Sequence, residues 1–281
     1  MLDRTCIALA LVALSAVAGC GGGNGDAHSE PLASAFGDGA RLSDVIGHPT
    51  WLDPDDEASG GCSYPADRSV RVTGITVVAI DRYDETSQGA TGNYYVQDTL
   101  AQSAYVPEEG VPTPAFGMTI FNPSFSPPDL RLAPGDVTDV SGVIMEFAGP
   151  VVGRFPFCRT LPEIGGTMSF RFEGGEVQPT TLPLSALLGY DNARPYIGML
   201  VRVENVQIAG APSDSSGRYT ARINMGAGVE SSDIVRISNE LYDLKSLGPV
   251  LEGSTFKAVS GVLTYFYGFR IAPRSPADFE L

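Results

Sequence analysis

A short strand signature occurs twice in this chain, and it restricts the fold more than any other feature. Val140-Ser141-Gly142-Val143-Ile144 returns as Val259-Ser260-Gly261-Val262-Leu263, 119 residues further on. Leu132 and Leu251 keep that offset, as do Phe147 and Phe266. Upstream, Val70-Arg71-Val72 matches Val201-Arg202-Val203. These landmarks are 70 residues apart in the first copy (140 − 70) and 58 in the second (259 − 201), which predicts an insertion in the first, at 84–91 or 100–116. Ordered self-similarity of this kind implies one unit built twice.

Each copy reads as five strands. In the first they fall at 69–80, 92–98, 117–122, 136–147 and 168–172; in the second at 199–208, 219–224, 233–238, 255–265 and 268–271. The segments are β-branched or aromatic and are bounded by turn residues. With 33 Gly, 21 Pro and only 18% charged residues, short strands and turns fit better than long helices. Gly74, inside a long first strand, predicts a bend or bulge. In 199–208 the apolar positions move from odd (Met199, Val201, Val203) to even (Val206, Ile208), which predicts an extra residue at Glu204-Asn205. Short helices are expected at 184–188 and at 240–247, the latter between a third and a fourth strand. Five strands, the first long and bent, with a helix in that place describe an OB barrel. The fold class is therefore all-β: two tandem five-stranded OB-like barrels with short helices. Residues 41–178 hold a lead-in segment and the first barrel, and 179–281 the second. An immunoglobulin-like sandwich would want about seven strands per unit and gives the helix no role.

The N-terminus reads as an address. Arg4 precedes an apolar run of 13 residues, Ile7–Gly19. That is too short to span a bilayer, which takes about 20, and it matches the core of a signal peptide, residues 1–19. Val17-Ala18-Gly19-Cys20 resembles the lipobox of bacterial lipoproteins. The resemblance implies a lipid-modified Cys20 and a membrane partner through that anchor. By the same resemblance, Gly21, where an Asp would mark inner-membrane retention in the enteric sorting pattern, implies the outer membrane. Residues 20–40 form a Gly/Ser/Ala-rich flexible tether. Once Cys6 leaves with the signal and Cys20 carries lipid, Cys62 and Cys158 remain. In an oxidising compartment they are expected to pair as a disulfide, the alternative being two buried thiols. His28 and His48 have no ligand spacing to a cysteine, so neither a metal nor another cofactor is expected. The acidic run 53–57 does not match EF-hand spacing and reads as a solvated turn.

Further motifs carry a second resemblance. Tyr94-Tyr95-Val96-Gln97-Asp98, Pro134-Gly135-Asp136, Ser141-Gly142-Val143, Gly198–Val206 and Tyr267–Ser275 look like the OB-like modules appended to secreted bacterial nucleases. The likeness covers roughly 69–281. In those proteins the hydrolytic metal domain lies elsewhere in the chain, so the resemblance implies a module and not an activity.

Charge bears on partners. The chain carries −15: residues 21–68 sum to −7, residues 69–178 to −7, and residues 179–281, with 10 acidic and 9 basic side chains, to −1. An acidic surface repels phosphate, which argues against nucleic acid. Only the second unit could compensate, through Arg202, Arg218, Arg222, Arg236 and Arg270. Tyr94, Tyr95, Tyr219, Tyr265 and Tyr267 are candidate stacking platforms. The ligand-binding set taken from these is Tyr94, Tyr95, Tyr219, Arg222 and Tyr267. No H-E-x-x-H, G-x-S-x-G or phosphate loop is present, so no catalytic residue is assigned. The reading is a lipid-anchored cell-envelope binding or structural protein without catalytic activity, its partner an envelope protein or glycan, with loops 84–91 and 100–116 as recognition surface. A single-stranded nucleic-acid module is the alternative, and an envelope hydrolase using a carboxylate pair the third.

Overall fold

A computed structural model of the chain describes residues 39–46, 61–89, 91–98, 116–231, 233–247, 250 and 252–281. The signal peptide, Cys20, nearly all of the tether, the acidic run 53–57 and loop residues 100–115 lie outside these.

Five strands close a barrel in the order β1-β2-β3-β5-β4. They are β1 (Arg68–Ile80), β2 (Tyr94–Asp98), β3 (Gly117–Ser126), β4 (Asp136–Phe147) and β5 (Leu161–Glu173). Closure rests on β1 serving two neighbours: residues 68–76 pair with β4 and 75–80 with β2. The change of partner falls where the sequence predicts a bend. Gly74 has φ 68°, and the register with β4 slips between Val72 and Ile75. A buried carboxylate fixes the bend: Asp139 accepts from the Gly74 N–H (2.9 Å) and from Thr73 Oγ1 (2.5 Å). Val72, Ile75, Val96, Met118, Ile164 and Met168 fill the interior. A short helix, α1 (Leu42–Ile46), lays Leu42, Val45 and Ile46 on this core. Its first turn is held by Asp98 at the end of β2, which accepts from the Leu42 and Ser43 N–H groups (3.2 and 3.1 Å).

The remaining strands form an eight-stranded sheet. They are β6 (Thr180–Leu182), β7 (Leu200–Gln207), β8 (Ser213–Ser215), β9 (Arg218–Arg222), β10 (Arg236–Ser238), β11 (Thr255–Tyr265), β12 (Phe269–Ala272) and β13 (Phe279–Glu280). The order is β6-β7-β11-β12-β10-β9-β8, with β13 also on β11. Past the end of β7 the two sides of the sheet meet. Ile208 and Ile223 form a bridge, Ala209 N donates to the Arg222 carbonyl (2.9 Å), and Asn224 N to that of Gln207 (2.8 Å).

The repeated motifs pair in the same way in both halves. Val70, Arg71 and Val72 face Gly142, Ser141 and Val140; Val201, Arg202 and Val203 face Gly261, Ser260 and Val259. Each motif glycine is required by a close approach. A Cβ at Gly142 would lie 2.2 Å from the Gly165 carbonyl oxygen, and one at Gly261 would lie 2.6 Å from the Ala272 carbonyl carbon and oxygen. In both cases the obstacle is the neighbouring fifth strand of the copy, β5 or β12.

Other expectations are modified. β5 begins at Leu161, seven residues before the predicted strand. The face of β7 does flip at Glu204-Asn205, both of which are exposed, but no residue is inserted: the register with β11 is the same on either side. Asn205 instead takes a left-handed φ of 54°, which rotates the strand in place. The helix expected at 240–247 shortens to a 3-10 turn over Leu244–Leu247, and the one at 184–188 to Leu184–Leu187. In the first copy, residues 127–135 make turns and no helix.

The two halves interlock. The connection between β4 and β5 carries Phe155 into the core of the second sheet, where it is fully buried. Cys158 on the same connection is disulfide-bonded to Cys62. Beside it, Arg194 is buried against Glu146 (2.8 Å), Tyr190 Oη (2.8 Å) and Thr160 Oγ1 (3.2 Å), so the charge is paired and hydrogen-bonded. Elsewhere, backbones approach so closely that a Cβ at Gly198 would lie 2.2 Å from Met118 N.

Candidate functional site

Antiparallel and parallel pairing bring three arginines side by side. Arg236 on β10 faces Arg222 on β9 and Arg270 on β12. The neighbouring positions Ala221, Ile237 and Ile271 point into the core, so the arginines occupy the outer face. Like charges placed directly opposite one another destabilise a sheet. Arg270 is relieved by Glu240 (3.0 Å) and lies over the Phe266 ring (5.2 Å). Arg218, at the start of β9 on the same face, is relieved by Glu85 (3.5 Å). Among the described residues, Arg222 and Arg236 have no carboxylate partner. The Arg236 guanidinium is half-buried and donates to the Ile234 carbonyl (3.2 Å). Burial, then Arg270 and Arg222, hold its proton affinity below that of an ordinary arginine.

A cleft of about 270 Å³ adjoins this row. Arg222 and Asn224 stand at it, and Met225, Val229 and Ile234 give it an apolar side. Asp233, one residue before Ile234, is engaged by Arg159 (3.1 Å).

The other residues singled out by sequence lie apart from this site. Tyr94 is half-buried at the edge of the first core, edge-on to Phe125 (5.5 Å). Tyr95, its neighbour on the opposite face of β2, is buried between the halves with Val78, Ala79, Leu200 and Val262, so its ring offers no stacking face. Tyr219 is half-buried, its N–H bonded to Asn239 Oδ1 (2.8 Å). Tyr267 is partly exposed, and its hydroxyl donates to the Gly153 carbonyl, which ties it to the β4–β5 connection. Tyr265 is buried in the second core. Arg222 alone of the set is at the cleft; the register that adds Arg236 and Arg270 is not stated by any local motif.

Loop 84–91, expected as recognition surface, is docked at Glu85 and exposed at Ser87–Gly89 and Thr91. Asp84 organises it by accepting from the N–H groups of Gly89 (2.6 Å), Gln88 (3.1 Å) and Thr86 (3.2 Å). Glu85 is buried against the second half, and a Cβ at Gly217 would lie 2.1 Å from its carbonyl oxygen. Among the described residues, no group of three His, Cys, Asp or Glu side chains is placed to hold a metal ion.

Three buried carboxyls are pushed up to about 7. Burial is the main cause in each: Asp98 under α1, Asp81 beside Glu85, and Glu163 beside Glu146. The native state therefore holds these protons between about pH 4 and pH 7, where the unfolded chain has released them. Stability is greatest on the acid side and is lost as pH rises through about 7. One carboxyl moved from 3.8 to about 7 is worth up to about 4 kcal/mol over that interval. The melting temperature is expected to be higher at pH 5 than at pH 8, and Asp98→Asn with Glu163→Gln should flatten the slope. A flat or rising profile for the parent would contradict the assignment.

No family model matches the chain, and no curated protein matches it.

Proposed function

We propose that the chain is a lipid-anchored binding protein of the bacterial cell envelope, made of two OB-like barrels locked together, which recognises its ligand on the outer face of the second. The observation that carries the binding reading is the Arg222–Arg236 couple: in a chain of −15, two opposed arginines with no carboxylate partner among the described residues are a cost that an anionic ligand would offset. The two-barrel reading is supported by the identical pairing of the repeated motifs in both halves and by the 3-5 parallel contact that each half contains, β3 with β5 and β10 with β12. The resemblance to nuclease-appended modules agrees with a binding role and gives this chain no activity of its own.

The envelope location rests on Val17–Cys20 and is tested by Cys20→Ser. That variant should accumulate as an unprocessed precursor without lipid. Incorporation of labelled palmitate equal to the parent would overturn it.

The arginine face also favours, as a second reading, a single-stranded nucleic acid. Such strands are tracked by several unpaired cations interleaved with aromatic platforms. Here Arg218 and Arg270 are neutralised by Glu85 and Glu240, and Tyr95 is buried, so the face suits a short anion better than a chain of phosphates. Salt-sensitive binding of an oligonucleotide would reverse that order.

A further inference from the structure

Building on the binding reading above, we infer that the Arg222–Arg236 couple and its cleft form a site for a phosphate monoester carried on a compact apolar body. As antiparallel partners the two residues stand directly opposite on one face of the sheet, one strand spacing apart at the backbone, within reach of long side chains that could converge on one doubly charged oxyanion, which arginine grips through paired N–H donors. Arg270, next in the row, is held by Glu240 and contributes to the local field without being a contact. Arg236 is already partly withdrawn from water, so its interaction with an anion is screened less than that of a surface arginine. The cleft beside Arg222 is smaller than the roughly 300–1,000 Å³ of sites for drug-sized ligands. Its volume of about 270 Å³ admits a ring-sized group. Met225, Val229 and Ile234 would cover that group on one side while the phosphate stays at the mouth.

Phenyl phosphate has this chemistry and is the probe. Titrated into the full chain and followed by phosphorus NMR, it should bind saturably in the millimolar range or tighter. Arg222→Ala and Arg236→Ala should each weaken binding at least about tenfold, the loss expected when a charged hydrogen-bonded contact is removed. Inorganic phosphate, which leaves the apolar side uncovered, should bind more weakly than phenyl phosphate. Arg222 is exposed, so its variant folds and keeps the test decisive even if Arg236→Ala is destabilised. Competition by phosphatidic acid vesicles would assign the phosphate to a lipid headgroup, and failure to compete would assign it to a soluble monoester; both support the site. Absence of saturable binding, or parent-like binding by the Arg222 variant, overturns it. A Cys20→Ser variant that is lipidated like the parent while phenyl phosphate still binds would remove the envelope reading and leave the site. The converse pair of results would remove the site alone.

Discussion

Phe155→Ala is expected to destabilise the full chain by about 3–5 kcal/mol, the range for truncating a buried aromatic. Phe155 is 0% exposed. Its ring is met edge-on by Tyr265 and Tyr267 at 5.1 Å and by Phe147 and Phe266 at 5.7 Å. Edge-to-face pairs of this kind add to the loss from buried area. Phe155 belongs to the β4–β5 connection of the first barrel, yet it fills the core of the second sheet. Its removal leaves a cavity in one half and cuts the joint between both. Urea unfolding of the parent should show one transition, and the variant should show an earlier one or two separate ones. Val151→Ala, on the same connection but 102% exposed, is the control and should stay within about 0.5 kcal/mol of the parent. A loss below about 1 kcal/mol for Phe155→Ala would mean that the socket closes without its plug. By the same geometry, a fragment from about Leu182 is expected to be less stable than the second half within the full chain. Cut there, the second half loses most of β6, which pairs with β7 through Thr180–Leu182, and its apolar socket opens to water.

What could be read from the chain, and what could not, divides by the range of the interaction. Gly74 marked the bend of β1 because a missing Cβ is a local fact. The repeat marked equivalent strands because the same neighbour demands the same residue twice, as the approach of strand five does at Gly142 and Gly261. The cysteine pair was reached by elimination, and the bond joins Cys62 to Cys158. The start of β5 was hidden because Leu161–Thr167 contains a Pro and two Gly, residues with poor strand propensity. Pairing with β4 overrides that propensity, and Gly166 sits where a Cβ would lie 2.4 Å from the Ser141 carbonyl oxygen. The two- and three-residue strands β6, β8 and β13 are too short to show a period. At the site, Arg222 was visible as a strand arginine in the one nearly neutral segment. Its alignment with Arg236 and Arg270 depends on which strands pair and in what register. Tyr94 and Tyr95 could not both face one ligand, since adjacent strand residues point to opposite faces; which of them is buried was decided by the docking of the two halves.

Replacing Cys62 and Cys158 by Ser is expected to cost about 2–5 kcal/mol, through the unfolded chain more than through lost contacts. The bond spans 96 residues, and for a closed loop of that length the chain-entropy relation gives about 4.7 kcal/mol at 25 °C. The native state returns part of this. Phe157 and Cys158 both hold left-handed backbones, φ 59° and 55°, a conformation that costs side-chain-bearing residues about 1 kcal/mol or more each and that could relax once the tie is cut. The net effect should therefore fall below 4.7 and remain large. The position of the bond also sets its consequence. Cys158 lies three residues from Phe155, so the disulfide fastens the segment before β1 to the connection that plugs the second sheet. Reduction should loosen the plug before it unfolds the barrel, since Val72, Ile75 and Met118 pack in the first core independently of it. Amide exchange in the reduced protein should accelerate first around residues 148–160 and at the second-core residues facing Phe155, with β1–β4 pairing protected longest. The double Ser variant and Phe155→Ala should then be less than additive, because both release the same connection. Full additivity in urea unfolding would show that the bond and the plug act on separate parts of the molecule.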